Sequence, residues 1–226
     1  MNKGNSLFII AACAFLLCAV LNVTGKLLDL NLASVVKPAL LPLLALATLA
    51  ALGGIRNKSV TLLIAAQLFG CMGDTFLIGS EFVFFASGIA AFLFGHICYI
   101  TLFKDSYKGL KPLQWVISIA CMLVFVVALV LLIGIKGVML GPMALYGSAL
   151  AFLIFTGVAG VVRKKGCEWW YILIGAVLFT FSDSQIAMDT FGVLPYALRP
   201  LVIMLTYLAA QALLAIGSVK LIKKNA

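Results

Sequence analysis

Charged residues are scarce in this chain, and their scarcity excludes several classes of protein. Asp, Glu, Lys and Arg together make up 10% of 226 residues, only seven residues are acidic, and there is one histidine. Few water-soluble domains stay in solution with so little charge. A single histidine also excludes a metal site built from several histidines. The chain is therefore not expected to be an ordinary soluble domain or a multi-histidine metalloprotein.

The six cysteines lack the arrangement of a metal or redox site. No two of them form a CxxC pair, and five lie inside apolar runs. In such runs cysteine behaves as a small hydrophobic residue. We therefore expect no metal centre and no disulfide framework.

Long apolar runs are what the chain does contain. Hydrophobic residues make up 65% of it, in runs of about 20 residues, the length that crosses a hydrocarbon core about 30 Å thick. We predict an all-α, polytopic transmembrane bundle that forms a single domain over residues 1–226. The first run, "LFIIAACAFLLCAVL", imitates a signal peptide, but no small-x-small cleavage site follows it, so it is predicted as a span. The eight predicted spans are 6–22, 35–54, 59–78, 82–103, 113–135, 138–162, 168–190 and 197–222.

The basic residues between the spans predict the orientation of the chain. The side that bears both termini carries 12 of the 16 Lys and Arg residues, so both termini are predicted to be cytosolic. The net charge of +9 forms no basic stripe with interleaved aromatic residues, so no nucleic acid partner is expected. The predicted location is a bacterial inner (plasma) membrane. The 12 residues are Lys3, Arg56, Lys58, Lys104, Lys108, Lys111, Arg163, Lys164, Lys165, Lys220, Lys223 and Lys224.

Two acids interrupt the apolar spans at the same predicted depth. Asp74 lies 15 residues after Ser59, and Asp183 lies 15 residues after Glu168, which puts both about 22 Å from the cytosolic face. Acids at this depth normally face a bundle interior or a watery cavity, because exposure to lipid is costly. We expect the two to face one shared cavity as working groups. The alternative is that both acids have a structural role.

In the structural alternative, each acid makes a helix–helix hydrogen bond or a buried ion pair with Lys37 or Arg199. The segments "GDTFL" and "SDSQI" around the acids also resemble each other. This similarity fits either an old duplication of four spans or coincidence in a sequence of low complexity.

The charged residues near the outer ends of the predicted spans are weaker candidates for a functional role. Asp189 lies about 120° round the helix from Asp183, so it cannot share a narrow face with it and can instead meet water or Arg199. Lys37, in "VVKPALLP", is either a snorkelling anchor or a cation for a lipid phosphate, with Arg199 in a similar position.

Several uncharged polar residues occur within the spans. His96 and Tyr99 in "FLFGHICYI" lie about 10 Å from the cytosolic face, where a lone histidine is often an interhelical donor. Gly88 and Gly95 predict close helix packing. The remaining polar groups are expected to be hydrogen-bonding partners in packing, namely Gln67, Tyr146, Tyr207 and Gln211.

Five segments in this order resemble the YhhN family, which includes the lysoplasmalogenases. They are "KPALLP", "GDTFL", "FGHICY", "SDSQIA" and "YLAAQ". The resemblance implies hydrolysis of the vinyl ether bond of lysoplasmalogens without a metal or organic cofactor, with a lysophospholipid substrate and membrane lipids as partners. It implies Asp74 and Asp183 as the catalytic pair. One departure is Gly70, at a position where the family motif has a serine.

The implied chemistry suits two buried acids. A vinyl ether is cleaved when a carboxylic acid protonates its β-carbon and water attacks the resulting oxocarbenium ion, which a carboxylate can stabilise. Which aspartate has which role is left open by the sequence. The main alternative is a proton-coupled transporter that uses the same carboxylates. Weaker candidates for head-group binding or for support of the acids are Lys37, His96, Tyr99, Asp189, Arg199, Tyr207 and Gln211.

Overall fold

The computed structural model describes residues 3–79 and 81–226, apart from the side chain of Lys3. In this part of the chain there are eight α-helices and no strand, and each helix is long and apolar enough to span a membrane. The predicted all-α fold with eight spans is therefore confirmed. The helices are α1 (Lys3–Leu27), α2 (Leu32–Leu52), α3 (Lys58–Phe76), α4 (Phe82–Leu102), α5 (Pro112–Ile133), α6 (Leu140–Lys164), α7 (Cys167–Thr190) and α8 (Arg199–Lys224).

Local sequence signals set where several helices begin and end. The side chain of Asn57 accepts a hydrogen bond of 3.0 Å from the backbone N–H of Val60 and so caps the start of α3. Helix α5 begins at Pro112, a position where the missing N–H costs nothing. It ends at Gly134, whose φ of +70° favours glycine and whose N–H reaches the carbonyl of Val130.

The chain divides into two compact units, each described by itself below. The first unit comprises residues 1–102 and 215–226, and in it α1 packs on α2, α2 on α3, and α3 on α4. The second unit comprises residues 103–214, and in it α5 packs on α6 and α6 on α7. It also contains the first part of α8. The prediction of a single domain stays a prediction.

Apolar side chains cover the outer surface of several helices, most of all α1 and α5. Leu17 on α1 is 61% exposed and Leu131 on α5 is 75% exposed. A surface this apolar is suited to lipid, and with eight spanning helices it identifies a multi-pass membrane protein. The cytosolic orientation of the termini stays a prediction, and Lys3, one of the basic residues counted for it, has its side chain outside the described part.

Glycines allow the helices to approach closely within each unit. A Cβ atom on Gly95 of α4 would lie 3.2 Å from the carbonyl oxygen of Ala66 on α3, and one on Gly88 would meet the side chain of Leu77. The prediction of close packing at these two glycines is confirmed. In the second unit, a Cβ on Gly157 of α6 would lie 2.7 Å from Cα of Leu173 on α7. Small residues of this kind stabilise membrane helix pairs because they let backbones come together.

We predict that Gly157→Ala destabilises the protein, because its new methyl group would overlap backbone atoms that cannot move aside. The expected cost is about 1–3 kcal/mol. Gly141→Ala is the matched control on the same helix, since nothing lies within 4 Å of a Cβ at Gly141. Thermal unfolding in detergent measures both variants. Equal midpoints for the two variants would contradict the predicted overlap.

Candidate active site

Asp74 lies near the C-terminal end of α3 and forms an ion pair with Lys37 of α2. The distance from Lys37 Nζ to Asp74 Oδ1 is 3.4 Å, and the two side chains are 14% and 3% exposed. Of the partners considered from sequence for Asp74, the structure identifies Lys37. The ammonium group is therefore engaged by a side chain of α3. An ion pair this well enclosed is screened only weakly by solvent.

A proline in α2 helps to hold this pair in register. Pro42 has no N–H, so the carbonyl of Pro38 one turn earlier lacks its usual helical donor. The thiol of Cys71 on α3 donates to that carbonyl at 3.3 Å. Since Cys71 lies one turn before Asp74, and Pro38 follows Lys37, this contact fixes α2 against α3 directly beside the ion pair.

A further polar contact joins α2 and α3 nearer the cytosolic end predicted for these helices. Gln67 Nε2 donates to Thr48 Oγ1 at 3.1 Å, and both residues are buried. Gln67 lies seven residues before Asp74 on α3, which is the same helical face. The face of α3 that meets α2 therefore carries three polar side chains with described contacts, those of Gln67, Cys71 and Asp74.

A second face of α3 packs on α4 and is covered by an aromatic ring. A Cβ on Gly73 would lie 2.8 Å from the ring of Phe92, so the glycine next to Asp74 makes room for that ring. His96 and Tyr99 lie on the same helix and are buried, each 2% exposed. Gly95 approaches α3 near Ala66 and Gly70, so the backbone of α4 next to His96 is level with a part of α3 that precedes Asp74.

Asp183 is one of two buried acids in the second unit, the other being Glu168 at the start of α7, and one described partner of Asp183 is a tyrosine. The hydroxyl of Tyr146 on α6 donates a hydrogen bond to Asp183 Oδ2. Asp183 is 6% exposed and Tyr146 3%. The neighbouring Ser182 donates to the carbonyl of Ile203 on α8 at 3.0 Å, which fixes the rotation of α7 at this point.

The sequence predicts Tyr146 as a hydrogen-bonding partner in packing, but it does not predict that the partner is Asp183. A signal for it does exist in the sequence. Tyr146 lies eight residues from the outer end of the predicted span 138–162, and Asp183 lies seven residues from the outer end of span 168–190. The two side chains therefore have matching depth on consecutive spans, but depth alone does not reveal which way each side chain points.

Tyr207 and Gln211 lie on one face of α8 in the second unit. The ring of Tyr207 packs edge-on against Phe179 of α7, with centroids 5.5 Å apart. Gln211 Nε2 donates to the Tyr207 hydroxyl at 3.3 Å, and Gln211 Oε1 is buried without a hydrogen bond to any described residue. These two residues form a small polar cluster between α7 and α8 rather than a charged one.

Asp189 and Arg199 meet at the connection between α7 and α8. Arg199 Nη1 lies 3.3 Å from Asp189 Oδ1, and the side chain of Arg199 is 2% exposed while that of Asp189 is 64% exposed. Arg199 also donates to the carbonyls of Val193, at 2.7 Å, and Leu194. The guanidinium group therefore joins the end of the α7–α8 connection to its start. This position favours a structural role over binding a lipid phosphate.

The cavities described within the units lie away from both acids. A cavity of about 650 Å³ lies between α2 and α3 at the Arg56 end of α3, and an apolar one of about 320 Å³ lies between α5 and α6. Among residues 3–79 and 81–226, no three His, Cys, Asp or Glu side chains are grouped so that they could hold a metal ion. The cavity that the two acids are expected to share stays a prediction.

Comparison with known proteins identifies the family. Residues 32–218 match the model of the YhhN family. The chain is 35% identical over 161 residues to lysoplasmalogenase TMEM86B of Rattus norvegicus and of Homo sapiens, and 28% identical over 169 residues to lysoplasmalogenase TMEM86A of Homo sapiens. These alignments cover 70%, 70% and 73% of this chain.

The coverage of the relatives themselves is lower. The alignments span 62% of the rat TMEM86B chain, 64% of the human one and 68% of human TMEM86A, so the chain spans less than two thirds of the TMEM86B proteins. No solved structure gives a significant match. The family model covers most of the chain, including Lys37, Asp74, Tyr146 and Asp183, and the protein therefore belongs to the YhhN family.

Proposed function

We propose that this protein is a membrane-embedded hydrolase that cleaves the vinyl ether bond of lysoplasmalogens and releases a fatty aldehyde and a glycerophospho-ethanolamine or -choline. The observation that carries the proposal is two buried aspartates, Asp74 and Asp183, within the residues that match the family model. The printed names of the TMEM86B and TMEM86A relatives support the same activity. The proposed substrate is a lysophospholipid, with membrane lipids around it, and the proposed location is a bacterial inner membrane.

The reaction needs one carboxylic acid and one carboxylate. The acid gives its proton to the β-carbon of the vinyl ether, and the π electrons form the new C–H bond and leave an oxocarbenium ion. Water attacks the cationic carbon and loses a proton to the carboxylate. The hemiacetal then collapses to an aldehyde, and its hydroxyl proton goes to the departing glycerol oxygen. A final proton return from the second carboxyl group to the first restores the enzyme, so the net reaction consumes one water.

Apolar surroundings favour this chemistry because they strengthen each charge interaction. Asp74 follows Gly73, which packs against the ring of Phe92, and Asp183 lies among the buried residues of α6 and α7. In such an environment a fixed carboxylate stabilises a developing cation more than it would in water. The alkenyl chain of the substrate is itself apolar and suits the same surroundings.

We expect Asp74→Asn and Asp183→Asn each to lower aldehyde release by at least about 100-fold, since general acid–base groups contribute factors of about 10²–10⁴. The assay follows aldehyde from a lysoplasmalogen with purified protein in detergent, where no ion gradient exists. Asp105→Asn, at an exposed acid outside the spans, serves as the control and should keep normal turnover. Near-normal turnover in either buried-acid variant would refute the two-acid mechanism.

The same assay tests the transporter alternative. A transporter has no reason to release aldehyde from lysolipid in micelles, whereas a hydrolase does so without a gradient. An elution profile from size exclusion that matches the unmodified protein shows that each variant is folded. A folded, unmodified protein without aldehyde release from any lysolipid would overturn the proposed activity.

Tyr146→Phe should lower turnover by about 10-fold, because it removes one hydrogen bond to Asp183, and one such bond is worth about 1 kcal/mol or somewhat more. Tyr196→Phe is the matched control, since it removes a hydrogen bond of 3.1 Å from a tyrosine in the α7–α8 connection to Gln185 of α7. Steady-state kinetics on both variants measures the effect. Equal turnover in the two variants would show that Tyr146 does not act on Asp183 during the reaction.

The orientation predicted from the basic residues also has a direct test. Alkaline phosphatase fused after Lys224 should stay inactive in a bacterial host, because this enzyme folds only outside the cytosol. A fusion after Gly137, in the predicted outer connection between α5 and α6, should be active. The reverse pattern would contradict the positive-inside assignment.

A further inference from the structure

We propose that this protein binds one anionic phospholipid of the surrounding membrane in a groove between α2 and α3, with the lipid phosphate at Arg56 and an acyl chain along α3. We call this cavity of about 650 Å³ the Arg56 groove. Sites for small molecules typically measure about 300–1,000 Å³, so the groove has room for a substantial part of a lipid. Neither Asp74 nor Asp183 lines it, so the inference does not depend on the proposed hydrolysis.

The lining of the Arg56 groove changes from polar to apolar along its length. Its polar end lies at the α2–α3 connection and is formed by Arg56, Asn57 and Thr61. The rest of the lining is apolar and belongs to the spans. It consists of Leu49 from α2 and of Val60, Ile64, Ala65 and Leu68 from α3. A phospholipid has the same division, since a charged phosphate lies at one end and an acyl chain extends from it.

The length of the Arg56 groove matches one leaflet of a bilayer. The α3 residues at positions 57, 61, 64, 65 and 68 follow the three- and four-residue spacing of a single helical face. The 11 steps from Asn57 to Leu68 span about 16 Å at a rise of about 1.5 Å per residue. This length is about half of a hydrocarbon core about 30 Å thick. The groove therefore fits the acyl chain of a lipid whose head group lies at the Arg56 end.

Both walls of the Arg56 groove are accessible from outside the protein. Leu49 on α2 is 43% exposed and Leu68 on α3 is 49% exposed. Exposed apolar side chains on spanning helices are suited to acyl chains. A lipid can therefore enter the groove sideways from the bilayer.

The charge at the polar end is complementary to an anionic head group. No acid occurs in the sequence between Asp29 and Asp74, whereas Arg56 and Lys58 both lie in this interval. The guanidinium group of Arg56 has no ion pair and no hydrogen bond with any residue in the described part of the chain. A guanidinium group can bind two phosphate oxygens at once. The described lining offers it no competing carboxylate.

The same charges distinguish this lipid from the proposed substrate. The ethanolamine or choline head group of a lysoplasmalogen carries a cation beside its phosphate. The described lining of the Arg56 groove contains no acid that could pair with such a cation, and Arg56 repels it. Phosphatidylglycerol has the phosphate without the cation, so it is the probe of choice.

A lipid in this groove contacts both helices of the pair that carries the ion pair of Lys37 and Asp74. Leu49 belongs to α2 and the other apolar lining residues belong to α3. A ligand that binds only the folded protein stabilises it in proportion to its occupancy. Bound phosphatidylglycerol should therefore stabilise the folded protein.

Titration of the delipidated protein in detergent with dioleoyl phosphatidylglycerol, followed by native mass spectrometry, tests the role of Arg56. Arg56→Gln should weaken binding of the first lipid by about 10-fold, because hydrogen bonds to charged groups contribute factors of about 10 or more. Lys58→Gln is the matched control. It removes the same charge from an exposed residue two positions away that does not line the groove, and it should leave the Kd within about twofold. An equal loss in the two variants would overturn the inference, since diffuse surface charge would then explain the binding.

Competition distinguishes a membrane lipid from other anions and from the substrate. Inorganic phosphate should not displace phosphatidylglycerol, because it lacks the acyl chain. Dioleoylglycerol, which lacks the phosphate, and a lysoplasmalogen should each compete at least about fivefold less well than unlabelled phosphatidylglycerol. Displacement by inorganic phosphate would make the groove a site for soluble anions. Equal competition by the lysoplasmalogen would make it a substrate site, and either result overturns the inference.

Filling the apolar part of the groove tests the position of the acyl chain. Ala65→Phe places a ring where the chain should lie, whereas Ala120→Phe, at an exposed alanine of α5 that lines neither described cavity, is the control. Phosphatidylglycerol at about 100 times its Kd should raise the unfolding midpoint of the unmodified protein and of Ala120→Phe by about 5 °C. The shift should be at most about a third as large in Ala65→Phe. A full shift in Ala65→Phe would overturn the inference, and Arg56→Gln decides it if Ala65→Phe does not fold.

Discussion

The cost of placing charge in a hydrocarbon core is the constraint on which the rest of this structure depends. A single charged side chain at the centre of a bilayer costs at least about 2.5–3.5 kcal/mol, and removing one partner from a buried ion pair costs about 3–5 kcal/mol. Lys37 and Asp74 must therefore be placed together, and the contacts between α2 and α3 do so. The register of those two helices follows from this requirement as much as from apolar packing.

Small residues then determine how closely the helices that carry the two acids pack on their neighbours. Gly73 lets the ring of Phe92 lie against α3 beside Asp74, and Gly175 brings α7 to within contact of Leu214 and the carbonyl of Ala210 on α8. In a membrane, close packing replaces the hydrophobic effect as the force that joins helices. The same glycines that hold the helices together therefore also exclude lipid and water from the side chains between them.

The sequence predicts the spans well and the site less well, for a physical reason. Apolar runs bounded by basic residues locate all eight helices within a few residues, apart from the first, which extends to Leu27. The rotation of each helix about its axis cannot be predicted in the same way. Lipid and protein interior are both apolar, so the sequence carries no 3.6-residue pattern that shows which face is buried. Lys37 and Arg199 were thus equal candidates as partners of the buried acids. The contact of Tyr146 with Asp183 depends on the rotation of α6 and could not be predicted from depth alone.

Stability alone gives little reason for these polar groups. Replacing a buried ion pair with apolar residues of similar volume is often neutral or stabilising, so a chain that only needed to fold in a membrane would do as well without Lys37 and Asp74. Both buried acids keep a polar contact in the described structure, Asp74 with the ammonium group of Lys37 and Asp183 with the hydroxyl of Tyr146. Ionisable groups inside a membrane span are rare and are most often kept for a function. The presence of these groups at positions where stability does not require them therefore favours a chemical role over a structural one.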